Sequence, residues 1–193
     1  MTALRVLGPA GRTERKLLPA PLAAIADDGT FEGYASLFGV PDLGRDVVAP
    51  GAFAASLAAR GIAGIRLLWQ HDPNEPIGRW LAIAEDARGL HVRGRLNLAV
   101  ARAREVHALL RDGAIDGLSI GFRTLEAARE RHGGLRRLTK IDLWEISLVT
   151  FPMHPGARVG KGATPTDVPA FRARLAGAAL DLRTLRLSRL LRS

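Results

Sequence analysis

The 193-residue chain contains no cysteine, which excludes disulfides, thiolate nucleophiles and cysteine-ligated zinc. Hydroxyl, carboxylate and imidazole groups are the reactive chemistry that remains. Long apolar runs are also missing: no stretch approaches the roughly 18 residues needed to span a bilayer. The amino terminus, Met1-Thr-Ala-Leu-Arg-Val-Leu-Gly-Pro9, has no secretory apolar core. A cytoplasmic protein with no membrane association is expected. Aromatics are few, one tyrosine and three tryptophans among them, and they are scattered rather than interleaved with arginines as a base-stacking platform requires. Lysine occurs only at Lys16, Lys140 and Lys161, so the net charge of +9 rests on arginine. A GC-rich genome produces that bias without any function, and nucleic acid is not expected as a partner. The five histidines show no paired helical spacing, which argues against metalloprotease chemistry, and no metal or cofactor is expected.

What is present is an ordinary globular composition, 47% hydrophobic and 24% charged, at a length that suits one domain with tails. Residues 1–15 read as a loose arm and 16–155 as the domain. The stretch 156–167, rich in Gly, Ala, Thr and Pro, reads as a linker, and 168–193 as a basic amphipathic helix or tail. That tail either docks as a solvated amphipathic helix or serves as a basic handle for a protein partner. Within the domain, Asp27-Asp-Gly-Thr30 and Asp86-Ala-Arg-Gly89 each sit between strand-like runs and predict hairpins. Ala52 to Arg60 and Ala99 to Asp112 predict helices stopped by Gly61 and Gly113. Ile65 to Gln70 predicts a strand delivering His71 to a proline-rich corner at Pro73 and Pro76, and 118–125 and 135–151 predict the last long strands. Many strands, two short helices and no alternating strand–helix repeat predict a mainly β, α+β fold built on an antiparallel barrel-like sheet.

The stretch that organises this reading is Asp116-Gly-Leu-Ser-Ile-Gly-Phe122, which places one serine between glycines inside an apolar strand. Such a hydroxyl is either a hydrogen-bonded structural group or a nucleophile activated by a neighbouring base. Two further runs accompany it, Leu67-Leu-Trp-Gln-His-Asp-Pro-Asn-Glu-Pro-Ile-Gly78 and Leu138-Thr-Lys-Ile-Asp-Leu-Trp-Glu-Ile-Ser-Leu-Val-Thr-Phe-Pro-Met153. Together with Phe31-Glu-Gly-Tyr-Ala-Ser-Leu-Phe38, Asp46-Val-Val-Ala-Pro-Gly-Ala-Phe53 and Phe151-Pro-Met-His-Pro-Gly-Ala-Arg-Val159, they resemble the prohead serine proteases of HK97-type bacteriophages. That family is distantly similar to the herpesvirus assemblins. The resemblance implies a serine endopeptidase of the assemblin type of fold that matures a phage or prophage capsid. It would cleave the scaffolding segment of the major capsid protein, and its own tail, inside an assembling prohead, with Gly156 to Pro165 a candidate self-cleavage region. The rival reading is a non-catalytic capsid scaffold or interaction protein on the same fold.

By the same resemblance His71 is the general base and Ser119 the nucleophile. The third group is open among three residues. Simple alternation along 143–149 puts Leu143, Glu145, Ser147 and Val149 on one face, and a carboxylate in so apolar a strand requires a cationic partner. Glu145 fits as the group that stabilises the His71 imidazolium, its other role being a structural ion pair with an arginine. Asp142 is the second choice, and His154 stands where the assemblins use a second histidine. Asp72 reads as a turn residue, and His91, His107 and His132 as structural. Backbone amides around Gly121, or less directly Arg136 and Arg137, are the candidates for holding an oxyanion.

Overall fold

The computed structural model describes residues 25–129 and 134–160. The expected amino-terminal arm, most of the expected linker, the expected carboxy-terminal helix or tail and His132 lie outside them. Seven strands form one mixed sheet: β1 (Thr30–Leu37), β2 (Asp46–Val48), β3 (Arg66–Trp69), β4 (Asp72–Glu85), β5 (Gly89–Leu96), β6 (Gly117–Arg129) and β7 (Arg136–Val149). Helix α1 (Ala54–Arg60) connects β2 to β3, and α2 (Ala101–Asp112) connects β5 to β6. Both helices stop where the sequence places glycine, Gly61 and Gly113, the latter in the left-handed conformation with its amide returned to the last turn. Among the described residues no helix is long and apolar enough to cross a membrane.

The strands run in the spatial order β1-β5-β4-β3-β7, with β6 on the other side of β7. All pairings are antiparallel except those of β7 with β2 and β3, which are parallel. Segment 157–160 joins the two ends of this curled sheet. Leu118 N–H donates to Ala157 O and Val159 N–H to Asp116 O on the β6 side. Tyr34 N–H donates to Arg158 O and Gly160 N–H to Glu32 O on the β1 side. Gly33 permits the approach, since a Cβ there would stand 2.2 Å from Arg158 O. Residues 156–160, assigned by composition to a linker, are thus the closing stave of a barrel, and Ala157 is fully buried. Paired backbone overrides the flexible composition because every strand edge left open inside a core would cost unsatisfied amides.

Inside lie Phe31, Leu67, Ile77, Leu90, Val92, Leu118, Ile146 and Leu148, all essentially inaccessible. The Asp86 hairpin forms as read, between β4 and β5, with Asp86 Oδ1 accepting from the amides of Arg88 and Gly89. The Asp27–Thr30 turn leads instead into β1, whose partner is β5, and its other arm lies outside the described residues.

The expected proline-rich corner is a tighter structure. Strand β4 starts at Asp72, directly opposite Trp69, so only Gln70 and His71 make the turn. Both have positive φ, 52° and 62°, the two-residue geometry whose twist matches antiparallel strands. Pro73 and Pro76 are tolerated within β4 because β5 pairs with it only from Gly78 onward, leaving that stretch without a second neighbour to receive an amide.

Candidate active site

Strand β7 is irregular where the site begins. Gly121 pairs with Glu145, but the next residue of β6, Phe122, pairs with Leu143, so β7 carries one extra residue there. The bulge rotates the strand. Ile141 and Leu143 face the core before it, and Ile146 and Leu148 after it, all with no exposure. Leu143 therefore does not share a face with Glu145, as strict alternation predicts. The amide that the bulge frees is taken up by α1, where Ser56 Oγ accepts from Leu143 N–H at 2.8 Å in a buried setting.

Beyond the bulge the register assigns faces. Leu118 opposes Leu148 and Ile120 opposes Ile146 on the core side, so Ser119, which opposes Ser147, and Gly121, which opposes Glu145, belong to the outer side of the barrel. The β3–β4 turn brings His71 to the same side from across β7. His71 Nδ1 lies 2.6 Å from Glu145 Oε1. The other carboxylate oxygen accepts from Ser147 Oγ at 2.6 Å, and Ser147 Oγ in turn accepts from His71 N–H at 3.1 Å. One carboxylate and one hydroxyl thus hold both the ring and the backbone of His71. With Glu145 accepting at Nδ1, that nitrogen carries the proton and Nε2 presents a lone pair. The imidazole is partly open to solvent, 43% exposed, whereas the Glu145 side chain is only 13% exposed.

Ser119 is buried at 6% exposure, and its hydroxyl makes no hydrogen bond among the described residues. Directly opposed residues on adjacent strands have Cβ atoms about 5 Å apart, which puts Ser119 beside Ser147. It stands two strands from His71, about 10 Å across β7 at the backbone, with both side chains on one face. The structure brings His71, Glu145 and Ser119 to one surface, and joins the first two directly.

The other candidates are placed elsewhere. Asp142 accepts two hydrogen bonds from the Arg60 guanidinium at 2.8 and 2.9 Å and a third from Trp144 Nε1. The Arg60 contact, then that of Trp144, lowers its carboxyl to about 2. His154 Nδ1 accepts from Gly156 N–H. Its Nε2 is buried with no partner among the described residues, beside a cavity of about 40 Å³ that Ser119 also lines. Asp72 caps its own turn through Asn74. His91 packs edge-on against Tyr34, and His107 reaches Ala26 O. Arg136 is bound through two hydrogen bonds by Asp46, which raises its guanidinium pKa and occupies the group an oxyanion would need. Among the described residues no cluster of three or more metal-ligating side chains occurs.

Sequence reasoning gives Ser147 a face but no task, and its task is to bridge Glu145 and His71. Gly121 has a further role beside the expected one near the oxyanion: a Cβ at that position would lie 2.0 Å from Glu145 Oε1. The glycine makes room for the carboxylate. The spacing Ser119-x-Gly121 on one strand against Glu145-x-Ser147 on the next carries this signal once the register is known.

Comparison with known proteins bears on the family and the fold. Residues 20–168 match the model of the caudovirus prohead serine protease family. The prohead protease of Enterobacteria phage HK97 is 35% identical over 133 residues, which cover 68% of this chain and 59% of that protein. The capsid polyprotein of Pseudomonas phage PAJU2 is 29% identical over 125 residues, 62% of this chain and 18% of the polyprotein. The chain thus spans about 59% of the length of the HK97 relative and a smaller share of the polyprotein. Among solved structures, the bacteriophage T4 capsid assembly protease superposes with a TM-score of 0.51 at 13% identity, over 64% of this chain and 82% of that one, a likeness of fold. A match over most of the sequence, on the strands that carry Ser119, His71 and Glu145, places the chain in the caudovirus prohead serine protease family.

Proposed function

We propose that this chain is a serine endopeptidase that matures a phage-type capsid, with Ser119 as nucleophile, His71 as general base and Glu145 as the group that orients and electrostatically supports the base. The observation that carries the reading is the 2.6 Å contact between His71 Nδ1 and a largely buried Glu145, on the face where the register puts Ser119. That contact leaves Nε2 as the acceptor for the Ser119 proton. As Oγ attacks the scissile carbonyl, the proton passes to Nε2. The C–N bond then breaks, and the same proton goes to the departing amine. Water repeats the sequence on the acyl-enzyme and frees the carboxylate product. The ring has to reach Ser119 by a side-chain rotation over Ser147, in keeping with the loose nucleophile–base geometry common before substrate binds.

The proposed substrates are those the family resemblance implies, the scaffolding segment of a major capsid protein and the enzyme's own tail, inside an assembling prohead; the prohead protease and capsid polyprotein relatives support the capsid part of that reading. A cut within 157–160 would have to break the hydrogen bonds that close the barrel, so self-cleavage in the candidate region is expected beyond Gly160. The rival, a non-catalytic scaffold on the same fold, has in its favour that Ser119 and His71 are not hydrogen-bonded. Co-expression with the capsid protein, read by mass determination of the shortened termini, tests the proposal. Ser119→Ala should abolish processing of both substrates, and fluorophosphonate labelling with it, while the melting curve is retained. Unlabelled parent protein, or processing that survives Ser119→Ala, would sink the peptidase reading.

A further inference from the structure

A second surface lies on the hairpin that carries His71. A groove of about 620 Å³ is lined by Asp28, Pro76, Gly78, Arg79 and Arg95 and by the segment from Leu96 to Val100. Arg79 on β4 and Arg95 on β5 are direct cross-strand partners. Two like charges opposite one another destabilise a sheet unless something compensates. Among the described residues neither guanidinium has a salt bridge, although the chain forms such pairs readily elsewhere, at Arg60, Arg136 and Arg158. The one acid in the lining, Asp28, spends its Oδ1 on the amide of Thr30.

The far wall of the groove adds charge of the same sign. Helix α2 begins there, its first cap position filled by Val100, with no side-chain cap and no acidic residue in its first turn. Its first-turn amides have no side-chain cap, and the nearest acid, Glu75, is paired with Arg102 of that turn. Two arginines without a salt bridge, Arg95 in electrostatic reach of Asp28, and one uncapped helix end converge on a single concavity.

We propose that this groove is a docking site for an acidic peptide segment, whose carboxylates take bidentate contacts from Arg79 and Arg95 and approach the start of α2. Carboxylate is favoured over nucleic acid phosphate because the lining holds no aromatic side chain for base stacking. Pro76 of the groove pairs with Leu68 on the strand that leads into the His71 turn, so the groove adjoins the hairpin that presents His71. That the bound segment belongs to a cleaved substrate rests on the peptidase reading; that it binds does not.

The test is equilibrium binding to full-length Ser119→Ala protein, which cannot consume the probe. The probe is a fluorescein-labelled peptide carrying six consecutive glutamates, read by anisotropy beside its all-glutamine counterpart and an oligothymidylate of equal charge. Arg79→Gln with Arg95→Gln should weaken the glutamate peptide at least about tenfold, an effect ordinary for two charge-assisted contacts. Arg66→Gln with Arg129→Gln, the same change in net charge elsewhere, should leave it within about twofold, as expected of screened surface charge. The groove variant should melt no lower than its parent, since it removes a repulsive pair. Equal losses in both double variants, equal binding of the glutamine peptide, or tighter groove-dependent binding of the oligothymidylate would each overturn the proposal. A labelled, active parent enzyme with no glutamate-peptide binding would refute this site alone and leave the peptidase reading standing.

Discussion

The two halves of the candidate site are built in opposite ways. The β6–β7 pair, with Ser119, Gly121, Glu145 and Ser147, is a long antiparallel ladder whose inner-face residues Leu118, Ile141, Leu143, Ile146 and Leu148 are fully buried. The β3–β4 hairpin that presents His71 is short, and its turn is made of two non-glycine residues at positive φ. Such residues each carry a backbone cost on the order of 1 kcal/mol, which persists only when the surroundings fix it. Here Gln70 N–H donates to Leu148 O, Gln70 Nε2 to Thr150 Oγ1, and His71 N–H to Ser147 Oγ. The rigid half therefore clamps the strained half. Precision at Ser119 comes from packing, and at His71 from hydrogen bonds onto β7 and the residue that follows it.

The sharpest probe of this contrast is His71→Asn. Asparagine accepts the left-handed conformation well, so stability should change by less than about 1 kcal/mol while activity falls at least about 10³-fold. A large loss of melting temperature would mean that the ring, not the turn, is what holds the hairpin. Glu145→Gln comes next. It keeps shape but removes the charge behind the base, and kcat/KM should drop about 10²–10⁴-fold with the melting curve little moved. Gly121→Ala tests the clamp from the rigid side. The new methyl would displace the Glu145 carboxylate, an atom at the end of a movable chain. Activity should fall about 10–100-fold, as for a misplaced catalytic group, with stability within about 1 kcal/mol of the parent. The smallest effect is expected at Asp142→Asn, outside both halves: activity should stay within about twofold, as for loss of a surface ion pair. Because its carboxyl is depressed to about 2 by Arg60 and Trp144, whatever stability that pair contributes is complete above the ordinary value of 3.8. It should disappear as pH falls toward about 2, so an acid titration of Asp142→Asn should differ from the parent only in that window.

Reading the sequence reached some of this and missed the rest for identifiable reasons. Local signals were sufficient for the β4–β5 hairpin, where Asp86 and Gly89 flank the turn, and for the two helices, where glycine marks the stop. The family motifs pointed to Ser119 and His71, strand alternation and charge to Glu145 over Asp142 and His154, and the fold brings the three to the outer side of one barrel wall. The bulge at Leu143 was not readable, because nothing in Asp142-Leu-Trp-Glu145 announces it. Its cause is Ser56, 87 positions upstream, which captures the freed amide. The His71 turn was hidden for a similar reason, since Gln70-His71 has none of the Gly or Asn that usually marks this geometry and is held by contacts from β7. The parallel pairing of β2 and β3 with β7 is likewise a property of the α1 crossover, not of any single strand. Segment 157–160 looked like a tether because its composition is permissive, and only its neighbours β1 and β6 make it structural.

Under the proposed self-cleavage, that last segment sets the survival rule. Scission past Gly160 would shed the tail and spare the hydrogen bonds that lace β6 to β1, leaving the wall intact. Scission four residues earlier would unlace the wall on which Ser119 sits. The distance between maturation and suicide is then a few peptide bonds, policed by backbone pairing that keeps the dangerous ones out of reach.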